Sequence, residues 1–291
     1  MSTITLVLTP EDASRLYKTF QDSASPAPQY AEWQLRPENC VITRYRSGKT
    51  VFQGKDAEVY AAAFQIAPET TSSPAVSGSV LPQAGSDEVG TGDYFGPVTV
   101  CACIVDEKTA PLVQELGVTD SKAMTDANIR KIAPKLIAAL PHSLLIVPPE
   151  KYNSVHASMN LNAMKSVLHN QAYVHLQDRY GLPGLCVIDQ FTPPASYYRY
   201  LSGQKRIVRP IHFETKAESS YPAVAAASVI ARFAFLSEMD DMSKAYGMEF
   251  ARGSGAPADA CGKQFIQRYG EERLKETAKL HFRNTAKITG R

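Results

Sequence analysis

The stretch GSDEVGTGDYFGPVTVCACIV, residues 85–105, decides how this 291-residue sequence is expected to fold. Its second half, Pro97–Val105, is an apolar, β-rich run of the kind that forms a buried strand. Its first half holds the acidic pair Asp87-Glu88 and then the glycine-rich GTGDYFG, so the whole reads as a hairpin-like region. Neighbouring side chains on a regular strand point to opposite faces, which would separate Asp87 from Glu88. Gly85, Gly90 and Gly92 favour a bulge or strand end that lets both carboxylates reach one side.

Upstream, residues 67–86 read APETTSSPAVSGSVLPQAGS, a linker composition, and the domain boundary is expected there. Residues 1–66 read as a small α/β unit. Ile4–Leu8 is a short strand, and Thr9-Pro10-Glu11-Asp12 starts a helix into Ala13–Phe20. Glu32–Leu35, Cys40–Tyr45 and Thr50–Gln53 alternate as a meander turning at Ser47-Gly48, and Lys55–Phe64 is a helix. Downstream, helices are expected around Asp126–Leu140 and Asn160–Tyr180, with strands at Ser143–Val147 and Leu185–Ile188. Ser220 reads as the cap of a helix with Pro222 in its first turn, running through Ala223–Met239. Strands first, then helices alternating with strands, imply a mixed sheet flanked by helices.

Bulk properties narrow the class of function only modestly. The chain is 44% hydrophobic and 21% charged, an ordinary globular composition. No run of about 18 apolar residues is present, so no membrane span is expected. The opening MSTITLVLTPED lacks a cationic region and a small-residue cleavage site, unlike a secretion signal. Cys40, Cys101, Cys103, Cys186 and Cys261 include no CxxC pair, which fits buried free thiols in a reducing cytoplasm better than disulfides or zinc. Net charge is only +2, but its distribution is uneven. Residues 196–216 carry five Lys or Arg (Arg199, Lys205, Arg206, Arg209, Lys216) against Glu214, and residues 263–291 carry eight basic residues against three acidic ones. Each segment fits a solvated face as well as a phosphate-binding patch.

Three acidic contexts stand out: the Asp87-Glu88 pair, Asp189 at the end of LCVID, and Glu218 in TKAESS before a small-residue helix. Phosphodiester hydrolysis needs an activated water and charge neutralisation, which two divalent cations about 4 Å apart supply when several carboxylates converge. Strand ends suit such a site, since ligands gather beyond the carboxyl ends of sheet strands. Each acid also has a plain role open to it. Asp-Glu pairs are common in turns, Asp189 can be an ordinary strand end, and Glu218 can assist a helix N-terminus.

DEVGTGDYFGPV resembles the signature of the type 2 ribonucleases H, in the form found in ribonuclease HIII. The Gly90-Thr91-Gly92 trio, with Asp93-Tyr94-Phe95 before Gly96-Pro97, is similar to the HIII form; ribonuclease HII usually has Arg in mid-trio and a shorter path to Gly-Pro. Thr119-Asp120-Ser121-Lys122 resembles the family's D-S-K segment, and IDQF at 188–191 its third-acid motif. KAES followed by AAASVIAR, and AKLHFRNTAKI near the end, resemble later family motifs in order, so the likeness covers about residues 80–290. Residues 1–66 match the family only by layout, as a small domain resembling the TATA-binding protein fold that grips substrate.

The resemblance implies a ribonuclease H-like fold at 87–291: a five-stranded mixed sheet flanked by helices, with a C-terminal helical extension. It implies Asp87, Glu88, Asp189 and Glu218 as catalytic residues holding two divalent ions, Mg2+ or Mn2+, with no separate His base. The implied reaction is endonucleolytic hydrolysis of the RNA strand of an RNA–DNA hybrid, leaving 5′-phosphate and 3′-hydroxyl ends, in a cytoplasmic monomer serving DNA replication and repair without an organic cofactor. Telling RNA from DNA requires sensing a 2′-hydroxyl, and a closely approaching backbone at Gly90, Thr91 and Gly92 can do so; a plain tight turn is the competing role. Ser121, Lys122 and Lys216 are the expected phosphate contacts. Trp33 offers either a stacking surface or core packing, and His169 and His281 are assigned no role. Three rivals stand beside this assignment: HII-like cleavage at single embedded ribonucleotides, hybrid binding without catalysis, and a different nuclease or transposase on the same fold.

Overall fold

The computed structural model describes residues 2–62, 64, 80–118 and 124–290. The chain divides into two compact units, Met1–Ala75 and Val76–Arg291. In the first, β1 (Ser2–Val7), α1 (Pro10–Thr19), β2 (Ala24–Ser25), β3 (Ala31–Leu35), β4 (Cys40–Tyr45), β5 (Lys49–Gly54) and α2 (Ala57–Ala62) follow in order. The strands form one antiparallel sheet, β1-β5-β4-β3-β2. Thr9 caps α1 by accepting from the Asp12 amide, as its place before Pro10 and two acids suggests. Leu16, Leu35, Ile42 and Phe52 are fully buried between sheet and helices, and Trp33 packs partly buried against that core, 5.5 Å from the Tyr17 ring.

The second unit runs β6 (Gln83–Val89), β7 (Val98–Val105), α3 (Ala110–Glu115), α4 (Asp126–Ala139), β8 (His142–Val147), α5 (Pro149–His156), α6 (Leu161–Tyr180), β9 (Leu185–Asp189), α7 (Pro194–Tyr200), β10 (His212–Glu214), α8 (Pro222–Tyr246), α9 (Ala256–Tyr269) and α10 (Arg283–Thr289). Its sheet has the order β10-β9-β6-β7-β8. Pairs β6–β7 and β7–β8 are antiparallel while β6–β9 and β9–β10 are parallel, the five-stranded mixed sheet expected. One face packs on α8 and α4 through Cys101, Cys103, Val229 and Phe235; the other packs on α6 and α7 through Val98, Val100, Tyr173 and Tyr197. α9 and α10 form the C-terminal helical extension.

Several expectations are corrected. The β6–β7 ladder runs unbroken from Gln83↔Val105 to Val89↔Thr99, so no bulge turns the acidic pair. Gln83–Ser86, counted with the linker on composition, form the first part of β6 and are buried, because the α8 backbone passes close over Gly85 and Gln83 is satisfied by accepting from the Ala223 amide and donating to the Val80 carbonyl. Residues 67–79 of that linker lie outside the described residues. The residue before α8 is Tyr221, not Ser220, and no side chain caps the helix; Pro222 begins it instead.

α8 is long and apolar enough, by composition alone, to cross a bilayer, yet 72% of its apolar window is buried inside the protein. Its small residues Ala223, Ala225, Ala226 and Ala227 let it lie close on β6 and β7, and Val229, Ile230 and Phe235 fill the space beyond. Burial of each such large side chain contributes about 1.5–3 kcal/mol, which fixes α8 as a core helix. All five cysteines are free and buried.

The loop between β6 and β7 is pinned by the end of the chain. The Tyr94 amide donates to the Gly253 carbonyl, the Tyr94 carbonyl accepts from the Lys279 amide, and the Gly96 amide donates to the Thr277 carbonyl. Lys279 is fully buried and donates from Nζ to the Gly96 carbonyl at 2.6 Å. Burial pushes its ammonium down to about 7, against the opposing pull of Asp93.

Candidate active site

Parallel pairing of β6 with β9 sets Ser86 opposite Ile188, so Asp87, two residues before the end of β6, and Asp189, the last residue of β9, come side by side near the carboxyl ends of adjacent strands. Ligand sites in open α/β sheets form at such ends. Asp87 sits opposite Cys101 on the α8 face, Glu88 opposite Val100 on the α6 face. The two acids therefore straddle the strand, as the period of two requires.

Asp87 is 9% exposed. Its Oδ1 accepts from the Glu88 amide at 2.7 Å, and Ser228 on α8 hydrogen-bonds to its carboxylate. Burial, then the nearby charge of Glu88 and, less strongly, of Asp189, push the Asp87 carboxyl up to about 7 against those hydrogen bonds. Glu88 behaves oppositely. Burial acts to raise its carboxyl, but hydrogen bonding and charge from His169, together with Lys165, outweigh it and hold the group below the usual range. Lys165 contacts Glu88 Oε1, and His169 Nε2 lies 2.8 Å from Oε2. Asp189 Oδ1 accepts from the Ala217 amide at 3.0 Å. Ala217 opens the short 3-10 turn Ala217–Ser219, whose middle residue, Glu218, is 4% exposed.

A cleft of about 440 Å³ brings these groups together, lined by Asp87, Glu88, Val89, Gly90, Thr91, Met124, Asp126, Asp189, Ser228 and Arg232. Three of the four expected acids therefore share it, with Gly90 and Thr91. Glu218 is not part of the lining; its turn is attached through the Ala217–Asp189 hydrogen bond. Gly92 is exposed beside the cleft, and Lys216 is exposed in a left-handed conformation (φ 58°). Ser121 and Lys122 lie outside the described residues. Among the described residues, no three Asp, Glu, His or Cys side chains already stand close enough to cage one ion. The donors are nonetheless hard oxygens, and a divalent cation would offset the burial that chiefly raises the Asp87 carboxyl, together with the neighbouring charge of Glu88.

Several residues lining the cleft or touching its lining escaped the sequence. Arg232 on α8 reaches Asp126 at 3.1 Å, and Arg252 contacts the same carboxylate. Ser228 lay in AAASVIAR, matched only as a family motif with no role of its own. Lys165 and His169 are spaced i, i+4, which places both on one helical face, a signal present but unused. The basic stretch at 196–216 is spent partly elsewhere: Arg206 pairs with Asp178, and Arg209 stacks over the Tyr198 ring.

Residues 84–285 match the family described as Ribonuclease HII, and residues 3–76 match a domain of unknown function (DUF3378). The chain is 42% identical to ribonuclease HIII of Bacillus pumilus over 297 residues, covering 97% of each sequence. In structure it is similar to Bst-RNase HIII in complex with Mn2+, at TM-score 0.72 and 38% identity over 99% of this chain and 98% of that one. The ribonuclease H2 from Pyrococcus horikoshii covers 72% of this chain and 98% of its own, at TM-score 0.61 and 25% identity. With identity at this level spanning nearly the whole of both sequences, the chain belongs to the ribonuclease HIII family.

Proposed function

We propose that the chain is a metal-dependent endoribonuclease that hydrolyses the RNA strand of RNA–DNA hybrids, with Asp87, Glu88, Asp189 and Glu218 holding two divalent cations, Mg2+ or Mn2+. The observation that carries this reading is the emergence of Asp87 and Asp189 from adjacent strand ends into one cleft with Glu88 and the Gly90-Thr91 turn. Two cations bound there supply an activated water and neutralise charge on the phosphate.

The chain's own residues position the rest. Ser228 and the Glu88 amide orient Asp87, the Ala217 amide orients Asp189, and Lys165 with His169 orients Glu88. Gly90 carries a φ of 95°, and a Cβ on it would stand 2.2 Å from the Pro97 carbonyl, so the turn keeps its backbone open only with glycine. That open backbone, with Thr91 and Gly92, is assigned to the ribose 2′-hydroxyl. Lys216, with Ser121 and Lys122, is assigned to substrate phosphates. The N-terminal unit is assigned to gripping the duplex. The working form is taken as a cytoplasmic monomer without an organic cofactor, in keeping with the free buried thiols.

A substrate panel tests this. With Mg2+ present, a long RNA–DNA hybrid is cut, while all-DNA and all-RNA duplexes are not, and a duplex with one embedded ribonucleotide is cut poorly. Equal cutting of the embedded ribonucleotide moves the activity to the HII type, and cutting of DNA removes the ribose-sensing role. The same hybrid assay on a chain lacking residues 1–75 gives a higher KM; an unchanged KM contradicts the gripping role.

A further inference from the structure

Lys165 is a lysine with 8% exposure on the sheet-facing side of α6, beside the candidate site yet outside every motif that pointed to it. Its ammonium contacts Glu88 Oε1 and stands 4.0 Å from the centre of the Phe191 ring. One turn along α6, the fully buried His169 holds the other Glu88 oxygen, contacts Ser86 with its second ring nitrogen, and stacks on Phe191 at 5.2 Å. Phe191 follows Asp189 by two residues, so the third acid's segment forms the floor of this arrangement. Both oxygens of Glu88 are thus engaged on the α6 face, while Asp87 belongs to the α8 face.

A buried ammonium needs a paired charge, and a cluster of carboxylates needs a positive one. Lys165 meets both needs at once. We propose that Lys165 is the built-in counter-ion of the carboxylate cluster, holding Glu88 with the kind of charge a divalent cation supplies, so that cation binding and the Lys165–Glu88 pair oppose one another. This rests on the cation site proposed above. Lys165 acts through Glu88 and is a positioning residue, with no contact to substrate required. The opposition has a use: it keeps the cluster folded without cations and sets their affinity low enough for exchange. Phe191 adds to it, because an ammonium over an aromatic face retains a favourable partner when the carboxylate is drawn away.

The test is Mn2+ binding by the full-length protein, followed by electron paramagnetic resonance of the free ion, for the wild type, Lys165→Gln, Lys165→Arg and Asp87→Asn. Losing a unit charge beside the cluster tightens Mn2+ binding by Lys165→Gln by about tenfold. The same variant melts lower than the wild type in EDTA and gains more melting temperature on Mn2+ addition. Lys165→Arg keeps the charge and binds Mn2+ nearly as the wild type does. Mn2+ affinity in Lys165→Gln that is unchanged or weaker overturns the proposal, since a lysine serving only for packing would leave the affinity unmoved. Should Lys165→Gln be unfolded in EDTA, recovery of the fold on Mn2+ titration supports the proposal, and failure to fold at any Mn2+ concentration overturns it. Wild-type Mn2+ binding that Asp87→Asn leaves intact would instead overturn the cation site itself, and this proposal with it.

Discussion

Replacing Asp87 by Asn lowers the rate of RNA cleavage in a hybrid by about 10³-fold or more, equivalent to about 4 kcal/mol of transition-state stabilisation, while hybrid affinity stays close to that of the wild type. Asn keeps the shape and the hydrogen bonds from Ser228 and the Glu88 amide but loses the charge proposed to hold a cation. Single-turnover cleavage at saturating Mg2+, with hybrid affinity measured separately, reads the effect; a variant retaining a tenth of the activity would remove Asp87 from the site. Stability moves the other way. The Asp87 carboxyl is raised, chiefly by burial and then by Glu88 and Asp189, from an ordinary 3.8 to about 7. Between those values the folded chain holds a proton that the unfolded chain has released. The contribution of Asp87 to stability is therefore full below the lower value and lost as pH rises through the upper one. In EDTA at pH 8, Asp87→Asn accordingly melts no lower than the wild type, and any advantage fades toward pH 4. A clear loss of stability at pH 8 would mean that the charge at this position supports the fold.

Gly85→Ala unfolds the catalytic unit's core by about 3 kcal/mol or more. A Cβ at Gly85 would lie 2.2 Å from the Val224 nitrogen and 2.4 Å from the Ala223 carbonyl carbon, both backbone atoms of α8. Neither atom can step aside as a side-chain end would, so strand and helix must separate, and Asp87 moves away from Ser228 with them. Gly92→Ala is the control. Nothing lies within 4 Å of its added Cβ, so its stability stays within about 0.5 kcal/mol of the wild type. Urea denaturation of both variants checks the pair. Equal stabilities would mean that α8 does not press on β6 as described.

Gly85 also illustrates what the sequence conveyed. Its glycine neighbourhood suggested a bulge, whereas the requirement it meets is the close passage of a helix more than a hundred residues later in the chain. Local pattern exposed the elements whose signal is local: α1 with its Thr9 cap, the apolar β7, and LCVID ending in Asp189. It also supplied Asp87, Glu88, Asp189 and Glu218 as candidates, each with a plain role still open, and only the family resemblance singled them out. Convergence was invisible, since it depends on β6 lying beside β9 in parallel register. Lys165 and His169 were hidden for the same reason. Their spacing marks a shared face of α6, but only the crossing of that helix over β6 brings the face to Glu88. Asp126 and Arg232 meet across 106 residues and no motif links them.

The central claim is that carboxylates at the ends of β6 and β9 hold the divalent cations that cut RNA in a hybrid. It is tested most directly by titrating Mg2+ into the EDTA-stripped full-length protein and following cleavage of a labelled RNA–DNA hybrid. The expected result is no cleavage without the ion, a saturable rise with Mg2+, and return to zero on renewed chelation. Cleavage that persists at full strength in EDTA would contradict the claim.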